Sequence, residues 1–309
     1  MQLIYPKENE PTCQPDPFIF EWKGVYYVYA TGQDGVHAYR ALALDGEWEY
    51  VGMIFTDQNE QNFWAPCVYE EDGVFYLYYS SRSKTSQDIH DEQIRVATSR
   101  DPAGKFTYQA TLLPPFSIDP HVVKSGDGLY IFYSVNDYEA ERAGTYIVVQ
   151  KMRSPIEVIG DPVAAVKPTL DEEIFARDRF RKGQHWHTIE GACYYRNGDY
   201  HYLIYSGNCF ESPYYFLGYA VAHSTETDLT KLRFEKHPAP NVYAPLIAAN
   251  GFESGTGHNS TIDINGETYC VYHGRDLNDV QPYDNRTARA CKLIPCNGTL
   301  TAIRKKDAL

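Results

Sequence analysis

The sequence repeats one short pattern five times. Each copy has an apolar segment, a turn that contains glycine, and a second segment rich in tyrosine. The copies begin at Asp16, Ala65, Asp119, Glu190 and His258, at intervals of 49, 54, 71 and 68 residues. Self-similarity at a period of this size is typical of arrays of one supersecondary unit. The repeat therefore predicts an all-β chain that forms a five-bladed β-propeller with about four strands in each blade.

The turns and the strands of each copy have the residues that a hairpin requires. The turns contain Lys23-Gly24, Asp72-Gly73, Asp127-Gly128, Asn197-Gly198 and Asn265-Gly266. Asp-Gly and Asn-Gly supply the positive φ angles of tight hairpins, and valine, isoleucine, phenylalanine and tyrosine favour the flanking strands. We therefore expect most of the 27 tyrosines to pack between blades and only a few to contact a ligand near the axis.

Length, charge and cysteine content limit the class of protein. The 309 residues fit a single domain over residues 1–309, although the length alone permits two. A net charge of −13 argues against nucleic acid and anionic membranes as partners, and it is compatible with a neutral ligand such as a sugar. No segment has the ~20 apolar residues of a membrane span.

The location of the protein is predicted from its first residues and its thiols. The sequence starts without the basic and apolar regions of a signal peptide, although a chain that had lost one would look the same. Its seven cysteines are scattered and lack a C-x-x-C pair, as expected for reduced thiols. These features predict a cytoplasmic protein.

Three of the five copies begin with a carboxylate. In a propeller the first strand of each blade lines the central channel, so Asp16, Asp119 and Glu190 are expected to converge at one mouth of it. Proline follows both aspartates, Pro17 is expected to keep the backbone of Asp16 extended, and Gly191 permits close backbone approach beside Glu190. Each carboxylate could instead cap a turn or pair with a basic neighbour. Two carboxylates in one channel would raise the pKa of one of them.

Other side chains near these positions are candidates for substrate binding: Phe18, Trp64, Trp186, His258 and Arg286. Trp64 could stack on a sugar or belong to the core. Residues 162–185, before Trp186, lack strand alternation and are expected to form a short helix or a loop over the channel mouth. His258 stands where other copies have carboxylates, and no second histidine or cysteine shows the spacing of zinc ligands.

Five motifs together carry a family resemblance: Asp16-Pro17, Trp64-Ala65-Pro66, Ile118-Asp119-Pro120, Glu190-Gly191 and Gly257-His258-Asn259-Ser260. With these motifs in this order, the sequence resembles glycoside hydrolase family 43 from about residue 12 to about residue 300. The resemblance implies a five-bladed β-propeller and inverting hydrolysis of glycans that contain arabinose or xylose. One departure is Ala192, where a proline is common in the family.

The resemblance also implies roles for individual residues. Asp16 would be the general base, Glu190 the general acid, and Asp119 the carboxylate that raises the pKa of the acid and positions it. His258 matches a channel histidine that in some members helps to hold a calcium ion, often through water. A structural calcium ion is therefore a possible ligand, and no cofactor is expected to be required.

The predicted chemistry agrees with these roles. Inverting hydrolysis needs an acid and a base about 6.5–9.5 Å apart, and the acid must stay protonated near neutral pH. The leading hypothesis is an exo-acting α-L-arabinofuranosidase that releases terminal arabinose from arabino- or arabinoxylo-oligosaccharides. The alternatives are a β-xylosidase, an endo-arabinanase and a non-catalytic sugar-binding propeller. A binding propeller would be expected to lack one of the three carboxylates.

Overall fold

Strands account for nearly all of the regular structure in a computed structural model of the chain, which describes residues 1–277 and 285–306. Within these ranges the helical segments are three 3₁₀ turns of three residues each: Ile89–Asp91, Asp171–Glu173 and Leu229–Lys231. None of the helical segments in this part of the chain is long and apolar enough to cross a membrane. The prediction of an all-β chain is confirmed.

Twenty of the strands form five antiparallel groups in which neighbours in sequence pair with each other. The first two groups are β1 Phe18–Trp22, β2 Val25–Ala30, β3 Val36–Ala41, β4 Glu49–Phe55, and β5 Glu60–Glu71, β6 Val74–Ser83, β7 Gln93–Ser99, β8 Thr107–Thr111. The third group is β9 Ile118–Ser125, β10 Gly128–Asp137, β11 Gly144–Ser154, β12 Glu157–Val166. The last two are β14 Trp186–Asn197, β15 Tyr200–Gly207, β16 Phe216–His223, β17 Glu235–Lys236, and β18 Glu253–Ile264, β19 Glu267–Asp276, β20 Thr287–Cys296, β21 Thr299–Ile303. Each group begins at one copy of the sequence repeat.

The third and fourth groups are joined into one nine-stranded sheet. Strand β11 pairs in parallel with β14, where Gly144 lies opposite His187, and the short strand β13 (Ile174–Ala176) pairs with β14. A Cβ atom at Gly144 would lie 2.0 Å from the carbonyl oxygen of His187, so this approach requires glycine. The other three groups are separate four-stranded sheets, and no sheet in the described residues closes on itself.

The first strands of the five groups contact one another in sequence order, and the last contacts the first. The contacts run from β1 to β5, then to β9, to β14, to β18 and back to β1. Five apolar core clusters lie between neighbouring groups, and tyrosines contribute to every cluster. The packing predicted for the tyrosines is therefore confirmed. The arrangement places the beginnings of the five first strands close to one another.

Candidate active site

Near the beginning of each first strand, a residue that faces the common site has a left-handed backbone. The φ angles are +53° at Asp16, +50° at Ala65, +59° at Asp119, +64° at Gly191 and +41° at His258. The extended backbone predicted for Asp16 before Pro17 is therefore wrong. Residues other than glycine seldom adopt such angles, and this kind of strain concentrates at functional sites. The pairing with the second strand shifts register beside four of the five, all except Asp16. Such bulges redirect side chains relative to a regular strand.

The left-handed positions correct the alignment of the fourth repeat. The equivalent of Asp16 and Asp119 is Gly191 and not Glu190, because Gly191 has the positive φ angle. The alignment of the repeats placed Glu190 opposite Asp16 and Asp119. In the structure Glu190 lies one residue before the equivalent position. Its carboxyl still reaches the common site, from the residue that precedes the bulge.

A pocket of about 180 Å³ lies where the five beginnings meet. Seven of the eight predicted site residues line it: Asp16, Trp64, Asp119, Trp186, Glu190, His258 and Arg286. The exception is Phe18. Its ring lies 6.2 Å from that of His121 and packs against the core clusters on both sides of the second group. Phe18 does not line this pocket, because its side chain is used in packing between strand groups, and its contact with substrate stays a prediction.

Asp16 is surrounded by donors and positive charge. The Thr31 hydroxyl donates to its Oδ2 at 2.6 Å, and Arg286 Nη1 and His273 Nδ1 each lie 3.3 Å from its Oδ1. Burial alone would raise the pKa of Asp16, but the charges of Arg286 and His258 hold it well below its usual range. Asp16 is therefore an ionised carboxylate at neutral pH.

The pKa of Glu190 is shifted in the opposite direction to that of Asp16. Burial, followed by the negative charge of Asp16, raises the pKa of Glu190 to about 7, although one side of the residue stays exposed to the pocket. The Tyr215 hydroxyl donates to Glu190 Oε1 at 2.8 Å and favours the ionised form. The Tyr215 ring also stacks on His273, with 5.7 Å between centroids. Tyr215 therefore contacts both Glu190 and the histidine that lies beside Asp16. Glu190 can hold a proton near neutral pH, as a general acid must.

Asp119 supports the backbone beside Glu190. Its Oδ2 accepts a hydrogen bond from the Gly191 N–H at 2.9 Å. Burial, opposed by the charge of His258 and assisted by those of Glu190 and Asp16, raises the pKa of Asp119 to about 7. The sequence predicts that an ionised Asp119 raises the pKa of Glu190. Burial is instead the main cause of the raised pKa of Glu190, and the charge of Glu190 contributes to the raised pKa of Asp119.

The surroundings of His258 do not fit a calcium ion. Its Nδ1 lies 3.6 Å from Asp16 Oδ1, an oxygen that already interacts with the Arg286 cation. Calcium requires six to eight oxygen ligands. Within residues 1–277 and 285–306, no three histidine, cysteine, aspartate or glutamate side chains are grouped to hold a metal. The calcium ion stays a prediction that these donors do not favour, and no catalytic step below uses it.

Aromatic side chains form one wall of the pocket. Trp186 is 2% exposed, and its ring packs 5.0 Å from Tyr138 and 5.5 Å from Phe180. It is thus both a core residue and part of the pocket lining. The segment predicted to lie over the channel mouth, residues 162–185, contributes Phe175 and Arg179 to the lining, whereas its first residues belong to β12. The second half of the segment thus borders the pocket, and its position over a channel mouth stays a prediction.

Three polar residues that contact the carboxylates were not predicted from the sequence: Thr31, Tyr215 and His273. Thr31 and Tyr215 lie in loops next to strands and His273 lies in β19, all outside the motifs. Residue 273 is 257 positions from Asp16 in sequence, yet its Nδ1 accepts the Asp16 N–H at 3.1 Å. No local signal could have identified these contacts, because only the assembly of the five groups creates them.

The chain is similar to known proteins in both sequence and structure. A family model described as "Glycosyl hydrolases family 43" matches residues 10–293. The "Probable arabinan endo-1,5-alpha-L-arabinosidase C" of Aspergillus niger is 28% identical over 197 residues, which cover 59% of this chain and 54% of the relative. The "Extracellular exo-alpha-(1->5)-L-arabinofuranosidase" of Streptomyces avermitilis is 24% identical over 284 residues, which cover 86% of this chain and 55% of the relative. The chain thus spans about half the length of these two curated relatives.

A solved structure supports the same grouping. The crystal structure of "a thermostable family-43 glycoside hydrolase" superimposes with a TM-score of 0.78 at 27% identity, over 96% of this chain and 94% of the other. The match therefore extends over nearly all of both chains.

Proposed function

Because the chain belongs to glycoside hydrolase family 43, we propose that it is an inverting exo-glycosidase that releases terminal α-L-arabinofuranose from arabino- or arabinoxylo-oligosaccharides. The observation that carries the proposal is the pair of carboxyls with opposite protonation in one pocket. Asp16 is held ionised and Glu190 holds a proton near neutral pH. Inverting glycosidases use this combination of base and acid.

In the proposed mechanism, Glu190 gives its proton to the glycosidic oxygen as the bond to the anomeric carbon breaks. Asp16 takes a proton from a water molecule, and the oxygen of that water forms the new bond on the opposite face of the sugar. The products are a sugar of inverted configuration and a free aglycone. Solvent then restores the proton to Glu190 and removes the proton from Asp16. Asp119 acts as a positioning residue through its hydrogen bond with the Gly191 N–H.

We also propose that the five strand groups are the blades of a five-bladed propeller and that residues 1–309 form one domain. The five sequence repeats, the five core clusters between groups and the circular contacts of the first strands support this arrangement. The pocket would then lie at one mouth of the central channel. The cytoplasmic location stays a prediction from the sequence.

The size of the pocket favours an exo enzyme. Its volume is about 180 Å³, whereas sites that enclose drug-sized ligands measure roughly 300–1,000 Å³. Such a space suits one terminal sugar better than several consecutive units of a polymer. The names of the relatives are divided between endo and exo activities, so product analysis is the direct test.

We expect the 4-nitrophenyl glycoside of α-L-arabinofuranose to be hydrolysed with a kcat/KM at least about tenfold above that of β-D-xylopyranose, a difference of about 1.4 kcal/mol. From linear 1,5-arabinan, arabinose should be the first product, and NMR should show it initially as the inverted β anomer. A preference for the xyloside would identify a β-xylosidase with the same mechanism. Early release of oligosaccharides would identify an endo-arabinanase, and sugar binding without turnover would identify a binding protein.

The hydrogen bond from Tyr215 gives a prediction about pH. kcat/KM of the wild type should fall as pH rises through about 7, because Glu190 loses the proton that it must donate. The Tyr215 hydroxyl stabilises the ionised form, so Tyr215→Phe should raise the pKa of Glu190 and move this decline to higher pH by up to about one unit. The measurement is kcat/KM against pH for both proteins.

A matched control is Tyr78→Phe, which removes a buried hydroxyl that donates to the Pro155 carbonyl at 2.7 Å, away from the pocket. Its pH profile should coincide with that of the wild type. A decline that moves to lower pH in Tyr215→Phe would contradict the assignment of Glu190 as the titrating acid.

A further inference from the structure

Arg179 differs from the other arginines that are at least partly buried in residues 1–277 and 285–306. Five of the others pair with carboxylates outside the pocket, and Arg286 pairs with Asp16. Arg275 donates to Asn285 and to the Phe210 carbonyl. Among the same residues, the side chain of Arg179 has neither an ion-pair partner nor a hydrogen-bond acceptor, and it lines the pocket with Asp16 and Glu190.

Aromatic rings hold the Arg179 guanidinium. Its central carbon lies 5.3 Å from the ring centroid of Phe175, 5.4 Å from that of Phe180 and 5.0 Å from that of Trp186. Stacking of this kind stabilises the cation through the ring faces. It leaves the N–H donors at the edge of the guanidinium available to a ligand.

The segment that carries Arg179 is anchored at several points. The Arg179 N–H donates to the Gln184 carbonyl at 3.1 Å, and the Gly183 N–H donates to Asp178 Oδ1 at 2.7 Å. Further back, the buried Glu173 forms an ion pair with Lys236 at 2.6 Å. The guanidinium is thus held in place before a ligand arrives, which reduces the entropic cost of binding.

Arg179 lies towards the mouth of the pocket. The neighbouring Phe180 and Tyr138 are 53% and 44% exposed, so the aromatic wall extends to the protein surface. In an exo enzyme the terminal sugar enters first and the rest of the substrate remains at the mouth. Arg179 is therefore placed to meet the aglycone, which is the part that leaves.

We propose that Arg179 binds a carboxylate on the aglycone, so that preferred substrates carry an acidic group on the unit next to the cleaved bond. A guanidinium binds a carboxylate through two parallel hydrogen bonds, and Arg179 lacks a protein group that fills this role among the described residues. The positive charge would also offset the repulsion between an anionic substrate and a chain with a net charge of −13. The inference rests on the proposed function. A uronic acid and an aromatic acid both supply this chemistry.

The test uses pairs of substrates in which a carboxylate is replaced by its neutral methyl ester. One pair is the α-L-arabinofuranosides of 4-hydroxybenzoate and of its methyl ester, and the other is the α-L-arabinofuranosides of galacturonate and of its methyl ester. Wild type should prefer the carboxylate of at least one pair by at least about tenfold in kcat/KM. A preference within the sugar pair alone identifies a uronic acid, and one within the aryl pair alone identifies an aromatic acid. The preference should fall when NaCl is raised from about 0.02 M to about 0.5 M.

Three variants separate recognition from structure. In Arg179→Gln the ratio within the pair should fall to about 1, and in Arg179→Lys it should be intermediate, because the charge remains without the planar fork. Arg181→Gln removes an exposed charge two residues away and should keep the wild-type ratio. A wild-type ratio of about 1 in both pairs would overturn the proposal. Equal losses on both members of a pair in Arg179→Gln would do the same, because they would show that Arg179 only holds the segment.

Failure of the proposed function would give a different result. If no member of either pair is hydrolysed, the proposed activity is wrong, whatever the role of Arg179. The dissociation constants of wild type and Arg179→Gln for the intact pairs would then be measured by calorimetry. A tenfold tighter binding of the carboxylate that depends on Arg179 would support the inference, and equal binding of both members would refute it.

Discussion

Asp16→Asn is expected to lower kcat by about 10³- to 10⁴-fold on every substrate, which is the upper part of the range for loss of a general base. Asparagine keeps the shape of the side chain but cannot accept the proton of the attacking water. The base acts on water and not on the leaving group, so the loss should be the same for 4-nitrophenyl and oligosaccharide substrates. The measurement is kcat for both kinds of substrate.

The same variant should also change the pH dependence of the remaining activity. The negative charge of Asp16 is one cause of the raised pKa of Glu190, so its removal should lower that pKa and move the alkaline decline to lower pH. Asp72→Asn is a matched control, because Asp72 is exposed in a hairpin turn with φ +53°, where asparagine is well tolerated. A loss restricted to oligosaccharides, or a loss shared by the control, would contradict the role of Asp16.

Loss of the Arg286 partner must be separated from loss of the base. In Asp16→Asn the buried guanidinium of Arg286 keeps its charge without the carboxylate that lies 3.3 Å away. Loss of this buried ion pair is expected to destabilise the protein. Thermal unfolding of the variant therefore belongs beside the kinetics. A variant that is folded at the assay temperature and binds arabinose would assign the lost activity to chemistry.

The repeat allowed much of the architecture to be predicted from the sequence, because hairpin turns and strand residues are local signals. The same signals predicted that Asp16, Asp119 and Glu190 meet, since a repeated unit brings equivalent residues together. At the fourth copy these signals aligned Glu190 with Asp16 and Asp119, although the equivalent left-handed residue is Gly191. A bulge adds a residue without changing the hairpin pattern on either side, so the sequence could not show which residue occupies it.

Aromatic residues near the motifs were the least predictable part of the site. Phe18 directly follows the Asp16-Pro17 motif and packs between strand groups, whereas Trp186 is almost fully buried and still lines the pocket. The sequence assigns both a position near the channel but not the direction of the ring. That direction depends on neighbours from other groups, such as His121 beside Phe18 and Tyr138 beside Trp186.

Asp119 and Glu190 present a question that kinetics can answer. The pKa of each is raised to about 7, so the alkaline decline in activity could reflect either carboxyl. The geometry assigns them different roles. Glu190 accepts a hydrogen bond from Tyr215 and is partly exposed to the pocket, whereas Asp119 is buried and accepts one from the Gly191 N–H. A general acid must reach the substrate, which favours Glu190.

Glu190→Gln should therefore lower kcat/KM about 10³- to 10⁴-fold on oligosaccharides but less than about tenfold on a 2,4-dinitrophenyl glycoside, whose leaving group needs no proton. The alkaline decline should disappear or move to lower pH, because glutamine does not titrate and Asp119 loses a repelling neighbour. The measurement is kcat/KM against pH for both substrates. Glu211→Gln, which changes an exposed carboxylate in the loop before Tyr215, should retain wild-type values and is the matched control. Equal losses on both substrates, or an unchanged decline near pH 7, would transfer the role of the acid to Asp119.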